Sequence, residues 1–266
     1  MKKIGFTLSE VLIALALIGV VAALTIPNFS TNTMDQTNAA RLATTKNLVE
    51  SAFIKMMAEE GTSTLDATRF GTALINSNAN DTETWLGNYL RITGYESEIG
   101  KFDSKYSITT SSNEDVDLGQ LQTAAAVKLK NNAILSISSP IDDVGNDNFI
   151  RILLVDVNGT TRPNRFGKDI FAYSVAKNGH LYPFGGLTSF MLNRKESLNA
   201  FEEESVAEYL RNRDPGQPKA PWQDERNGEF NPEDLTEGVA CSDSNIGSGL
   251  GCTARLTENN YKIDYK

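Results

Sequence analysis

From Phe6 to Ile26 the chain carries one charged side chain, Glu10, among apolar and small residues. At about 1.5 Å per residue, a helix over this run covers roughly 30 Å, the hydrocarbon thickness of a bilayer. The pattern therefore predicts a transmembrane helix over 6–26. Pro27 removes one backbone donor and predicts a kink or local loosening rather than an end. Beyond it the period changes. Leu42, Val49, Phe53 and Met56 recur as one face of an amphipathic helix, with Lys46, Glu50, Lys55 and Glu59 largely off that face. Gly61 fits the residue that ends such a helix in a left-handed turn. The prediction is one spine helix over 6–61, about 80 Å long. Its first half is suited to a membrane, and its second half lays an apolar stripe on a globular head.

The region from Thr62 to Gln120 has little periodicity. Glu83–Leu90 reads as a short helix with Trp85, Leu86, Tyr89 and Leu90 on one side, and Asp103–Gly119 is polar and reads as loop. A period of two then sets in. Ala125–Leu129 and Ala133–Ile137 flank a Lys-Asn-Asn turn as a hairpin, and Phe149–Val157 reads as a central strand. Ile170–Val175, Asn178-Gly179 and His180–Tyr182 read as a second hairpin with a glycine turn. A four- or five-stranded antiparallel sheet against the amphipathic helix gives an α+β head over 62–266. Within it, Leu187–Arg213 suggests a helix with an acidic face, and Asp214–Gly238 is proline-rich and aperiodic. Together they form an insertion of about 187–240, ahead of a glycine-containing loop between Cys241 and Cys252.

A carboxylate inside an apolar span costs about 2.5–3.5 kcal/mol on insertion scales, which marks Glu10 as functional. The order of parts narrows the reading. A secretory signal places its cleavage site after the apolar region, but here no small-residue site follows and the break comes before it, at Gly5-Phe6. The run Gly5-Phe6-Thr7-Leu8-Ser9-Glu10, behind the basic leader 1–5 and ahead of an apolar helix with Gly19 and Pro27, resembles the type IV prepilins and the type II secretion pseudopilins. That resemblance implies cleavage after Gly5 by a membrane prepilin peptidase and N-methylation of Phe6. It also implies packing of the N-terminal helices in a fibre raised by an inner-membrane assembly platform. The fold it implies is pilin-like, with the long helix packed on a C-terminal antiparallel sheet.

The chemistry of Glu10 agrees with that implication. Cleavage creates an α-amino group on Phe6, largely cationic at neutral pH. Glu10, in the first helical turn, meets the positive end of the helix dipole. In the fibre that the resemblance implies, a neighbouring subunit's Phe6 amine can pair with this carboxylate, and burial then favours one stagger, so Glu10 reads as an assembly register.

Charge and cysteine usage add to the picture. The formal net charge is −9; without Lys2 and Lys3 the chain keeps 23 basic against 34 acidic side chains, a balance of −11. Such a surface repels nucleic acid and anionic lipid, so no nucleic-acid partner is expected. Lys2 and Lys3 place the N-terminus in the cytoplasm and the head beyond the inner membrane. Cys241 and Cys252 then lie in an oxidising compartment and can form one bridge.

Two further stretches, Asp156–Phe171 and Cys252–Tyr265, resemble segments of one bacterial group of pseudopilin-like proteins. In the first, Asp156, Asn158, Asn164 and Asp169 are hard oxygen ligands in one loop, as calcium needs, although Asx turns account for them equally. No other cofactor is expected. Enzyme readings fail on inventory: the single histidine, His180, has no nucleophile, acid or zinc-ligand set around it, and Gly247–Gly251 lacks the lysine of a phosphate loop. Two classes of function remain, a structural pilin or pseudopilin subunit and a minor pilin-like module whose head recognises a secreted substrate or a surface.

Overall fold

The structure is a computed structural model that describes residues 7–76, 79–95, 109, 123–138, 149–186, 222, 240, 241 and 249–265, without the side chains of 24–32, 79, 95, 123–125, 138 and 149–151. Helix α1 spans Leu8–Glu60. It starts on Thr7, whose hydroxyl caps the first turn, and ends on Gly61, whose φ of 66° is left-handed and whose N–H returns to Met57 O. The helix is unbroken in sequence at Pro27, whose side chain is outside the described set. Helix α2, Arg69–Ile75, is capped by the Thr68 hydroxyl, and α3 is Ala79–Tyr89.

Six strands follow: β1 Ile92–Tyr95, β2 Thr123–Leu129, β3 Ile134–Ser138, β4 Phe149–Asp156, β5 Ile170–Ala176 and β6 Leu181–Pro183. They pair in chain order as one antiparallel meander. Helix α4, Cys252–Glu258, packs beside β5 and β6.

The core forms where the two periods meet. Leu42, Val49, Phe53 and Met56 of α1 are fully buried against alternate strand residues, including Val127, Leu135, Leu153, Phe171 and Val175. Each such side chain contributes about 1.5–3 kcal/mol by leaving water. β5 is buried along its whole length, which explains a run without polar alternation. Lys46 and Glu50 pair at 2.7 Å on the margin of the buried face. Glu50 Oε1 also accepts from Leu181 N at 2.8 Å, tying α1 to β6.

The head is α+β with a helix on an antiparallel sheet, as the residue pattern predicts, and three details differ. Among the described residues the sheet has six strands rather than four or five, because Ile92–Tyr95 adds an edge to β2; Gly94 and a register shift hide its alternation. The helix expected over Glu83–Leu90 begins at Ala79. Helices α2 and α4 were not expected. The predicted helix over Leu187–Arg213, the loop over Asp103–Gly119 apart from Thr109, and the proline-rich stretch apart from Trp222 lie outside the described residues.

Candidate functional site

At the N-terminus, Gly5 and Phe6 lie outside the described residues, and the geometry begins with Thr7. Thr7 N and Thr7 Oγ1 each donate to Glu10 Oε2 at 2.8 Å, and Glu10 N donates to Thr7 Oγ1 at 3.3 Å. This is a reciprocal capping box, in which two side chains satisfy main-chain groups that the helix start leaves open. Thr7 is a partner that the reading of Glu10 missed, although the Thr-x-x-Glu spacing of Thr7-Leu8-Ser9-Glu10 carries its signal.

Above this turn, Leu8, Val11, Leu12, Ile13, Leu15, Leu17, Ile18, Val20 and Val21 are all exposed. These near-consecutive positions surround the helix. Among the described residues, no helix is long and apolar enough to cross a membrane. The described side chains of this run, Leu8 to Ala23, cover only about 24 Å of helix, short of a bilayer's roughly 30 Å. Phe6 and the side chains of Leu24, Thr25 and Ile26, also counted in the expected 6–26 span, fall outside them.

The second candidate is the loop from β4 to β5. Asp156, Asn158, Asn164 and Asp169 are all buried and joined by hydrogen bonds. Asp169 is the hub. Its Oδ1 accepts from Arg165 N at 2.6 Å, and its Oδ2 accepts from Asn164 N at 2.8 Å and from Asn158 Nδ2 at 3.1 Å. Asp156 Oδ1 accepts from Asn158 N at 3.0 Å. Three oxygens of the cluster, Asp156 Oδ2, Asn158 Oδ1 and Asn164 Oδ1, are buried without a partner. Burial, reinforced by the neighbouring Asp169 charge, pushes the Asp156 carboxyl up to about 8. Burial also raises Asp169, against the hydrogen bonds from Arg165, Asn164 and Asn158. Asn164 adopts a left-handed φ of 50°, which asparagine tolerates better than most side chains.

This loop also joins distant parts of the chain. Asn132 Nδ2 donates to Asn158 O at 2.9 Å, and Asn38 Nδ2 of α1 donates to Lys168 O at 3.2 Å. Lys168 Nζ reaches Asp35 Oδ2 at 3.3 Å and Tyr265 O at 3.1 Å, while Tyr265 Oη donates to Gly167 O at 2.6 Å.

Cys241 and Cys252 are joined by a disulfide, with Cα atoms 5.1 Å apart. Beside it, Arg255 donates to Cys241 O at 2.8 Å and to Asp264 Oδ1 at 2.9 Å, between the rings of Trp222 and Tyr265. His180 is half-exposed, 3.8 Å from Glu50. Among the described residues, no three His, Cys, Asp or Glu side chains gather as a metal-ligand group.

No curated protein and no solved structure matches the chain. Residues 1–26 match the family described as the prokaryotic N-terminal methylation motif, and with it the chain carries the prepilin-type cleavage and methylation signature of type IV pilins and pseudopilins.

Proposed function

We propose that this chain is a structural subunit of a type IV pilus-like or type II secretion pseudopilus fibre, matured by cleavage after Gly5 and N-methylation of Phe6. In this reading the N-terminal half of α1 holds the precursor in the inner membrane, with the head beyond it. Assembly then moves the same helix into contact with those of neighbouring subunits. Its partners are the prepilin peptidase, the assembly platform and other pilin-like subunits, and its chemistry is its own processing.

The observation that carries the proposal is the exposed apolar helix surface from Leu8 to Val21, directly above the capped turn at Thr7 and Glu10. A helix apolar all round is at home in lipid or among other helices, not in water. The methylation motif over 1–26 supplies the processing step.

Mass spectrometry of protein purified from membranes tests this directly. The expected mature chain begins at Phe6 and carries one N-methyl group. A chain that retains Met1 in cells with an active peptidase would overturn the reading.

A further inference from the structure

We infer that the end of the head nearest the apolar half of α1 is a docking surface for anionic phospholipid headgroups, carried by Arg41, Arg91, Lys130 and Arg162. The meander sets which residues share that end. Because β1 to β6 alternate in direction, the start of β1, the β2–β3 turn and the β4–β5 loop lie together, and the β5–β6 turn lies at the opposite end. Contacts with α1 fix which end is which. Lys168 O accepts from Asn38 Nδ2, Lys168 Nζ reaches Asp35 Oδ2, and Asn131 Nδ2 donates to Thr45 Oγ1 at 3.1 Å. The β5–β6 turn stands beside Phe53, Ile54 and Met57, near the C-terminal end of α1.

Charge follows the same axis. Arg41, Arg91, Lys130 and Arg162 are all exposed, and Lys130 N donates to Arg91 O at 2.9 Å, which holds those two side by side. Among the described residues, none of the four has a carboxylate partner. The acids of this end are withdrawn from solvent or already paired. Asp156 and Asp169 are buried in the loop, and Asp35 is taken by Lys168. The opposite end carries Glu59, Glu60 and Asp66, with Lys55 against Glu59 and Lys177 against Asp66. In a chain whose formal net charge is −9, four unpaired cations at one end are a local reversal of sign.

With α1 anchored in the membrane through 6–26, the reading on which this rests, the helix emerges from lipid facing the basic end. Asp35 stands about 14 Å beyond Ile26 along the axis. Headgroups fill about 5–8 Å of that distance. The remainder is about one screening length at physiological salt, about 8 Å, and a helix tilt of about 20° brings one side nearer. At that range each cation shifts the balance towards an anionic surface by about fivefold. The rest of the head is acidic and is repelled by the same surface, so attraction confined to one end also orients the head. Lipid fits this end better than the acidic end of a second copy does, because the anchoring helix itself leaves the head here.

The test uses the full chain in nanodiscs of phosphatidylcholine, alone or mixed with phosphatidylglycerol. A fluorophore on Thr161→Cys, at the exposed tip of the β4–β5 loop, is read against a quencher fixed to lipid headgroups, and one on Ala58→Cys reports the far end. Quenching at Thr161→Cys is expected to rise at least about fivefold with phosphatidylglycerol, and at Ala58→Cys to stay level. Sodium chloride at about 1 M, where the screening length is about 3 Å, should remove the rise. Lys130→Glu combined with Arg162→Glu should also remove it while keeping the native near-UV dichroism, and Lys55→Glu at the far end should leave it intact. Equal quenching in the two lipids, or a rise that survives both salt and charge reversal, overturns the inference. Equal quenching together with a charge reversal that lowers the yield of sheared fibres would give this end to a second copy instead. A chain that stays outside both nanodiscs would overturn the membrane reading as well, whereas one that inserts and ignores lipid charge overturns the docking surface alone.

Discussion

Glu10 accepts two hydrogen bonds from Thr7, so the carboxylate already has partners in the single chain. Its helix-capping role and its proposed register role can be separated by substitution. Glutamine fills the same position in a capping box without a charge. Both Glu10→Ala and Glu10→Gln are expected to insert in the membrane, and both leave the head folded. Incorporation into sheared fibres should fall about tenfold or more for both, since losing one partner of a buried pair costs about 3–5 kcal/mol. Normal incorporation of Glu10→Gln at matched membrane levels would reduce Glu10 to a helix cap. A second consequence at this scale concerns acidity. Burial and the nearby Asp169 charge push the Asp156 carboxyl up to about 8, above the ordinary 3.8, so folding favours its protonated form. Its stabilising effect is complete below about pH 4 and is lost as the pH rises through 8. Urea midpoints of the protein should therefore fall between pH 5 and pH 8. Asp156→Asn should flatten that fall, and equal slopes for the two proteins would contradict the assignment.

Elements differ in how openly the sequence declares them. The head-packing half of α1 was legible because Leu42, Val49, Phe53 and Met56 repeat at helical spacing and are all fully buried. β4 and β5 stood out as apolar runs because both faces of the sheet are covered there. β1 did not, being four residues long with a glycine and only one neighbouring strand. Helix α2 owes its place to Phe70 stacking on Phe53 at 5.3 Å, a tertiary contact that local pattern cannot announce. In α4 five successive residues, Cys252 to Leu256, are buried, so the helical period is erased. Two glycines show the same contrast energetically. Gly61 has φ of 66° and open space where a Cβ would stand, so Gly61→Ala carries only the left-handed penalty, about 1 kcal/mol. Gly179, in the β5–β6 turn, has φ of 80° and would bring a Cβ within 2.7 Å of Met57 Cε. Gly179→Ala is expected to cost about 2 kcal/mol or more, as strain and overpacking add. Chemical denaturation of both variants checks the order, and an equal loss would mean that Met57 yields freely.

Across the whole molecule, the sequence shows which residues carry the chemistry but not how distant parts converge on them. The four oxygen-bearing residues of the β4–β5 loop were legible as a set. The hub role of Asp169 was not, because its partners are mostly main-chain N–H groups set by the turn. Nor does spacing reveal that Tyr265 and Lys168 close the C-terminal segment over this loop and onto Asp35 of α1. The disulfide acts on this same junction: Gly167 lies so close that a Cβ there would approach Cys252 Cβ within 2.9 Å. Replacing Cys241 and Cys252 together with serine removes a cross-link between residues 11 apart. In the chain-entropy view this costs about 3 kcal/mol, a large share of a domain's stability of about 5–15 kcal/mol. The loss should appear as a lower urea midpoint in the full chain, matched by the wild type under reducing conditions. Maturation at Phe6 should proceed unchanged, because the methylation motif ends at residue 26 and the linked residues belong to the head. If the serine variant keeps the wild-type midpoint, Arg255, Tyr265 and Lys168 hold the tail without the bridge. If it stays unprocessed in the membrane, head folding and N-terminal maturation are coupled, and the motif is not the self-contained unit its boundaries imply.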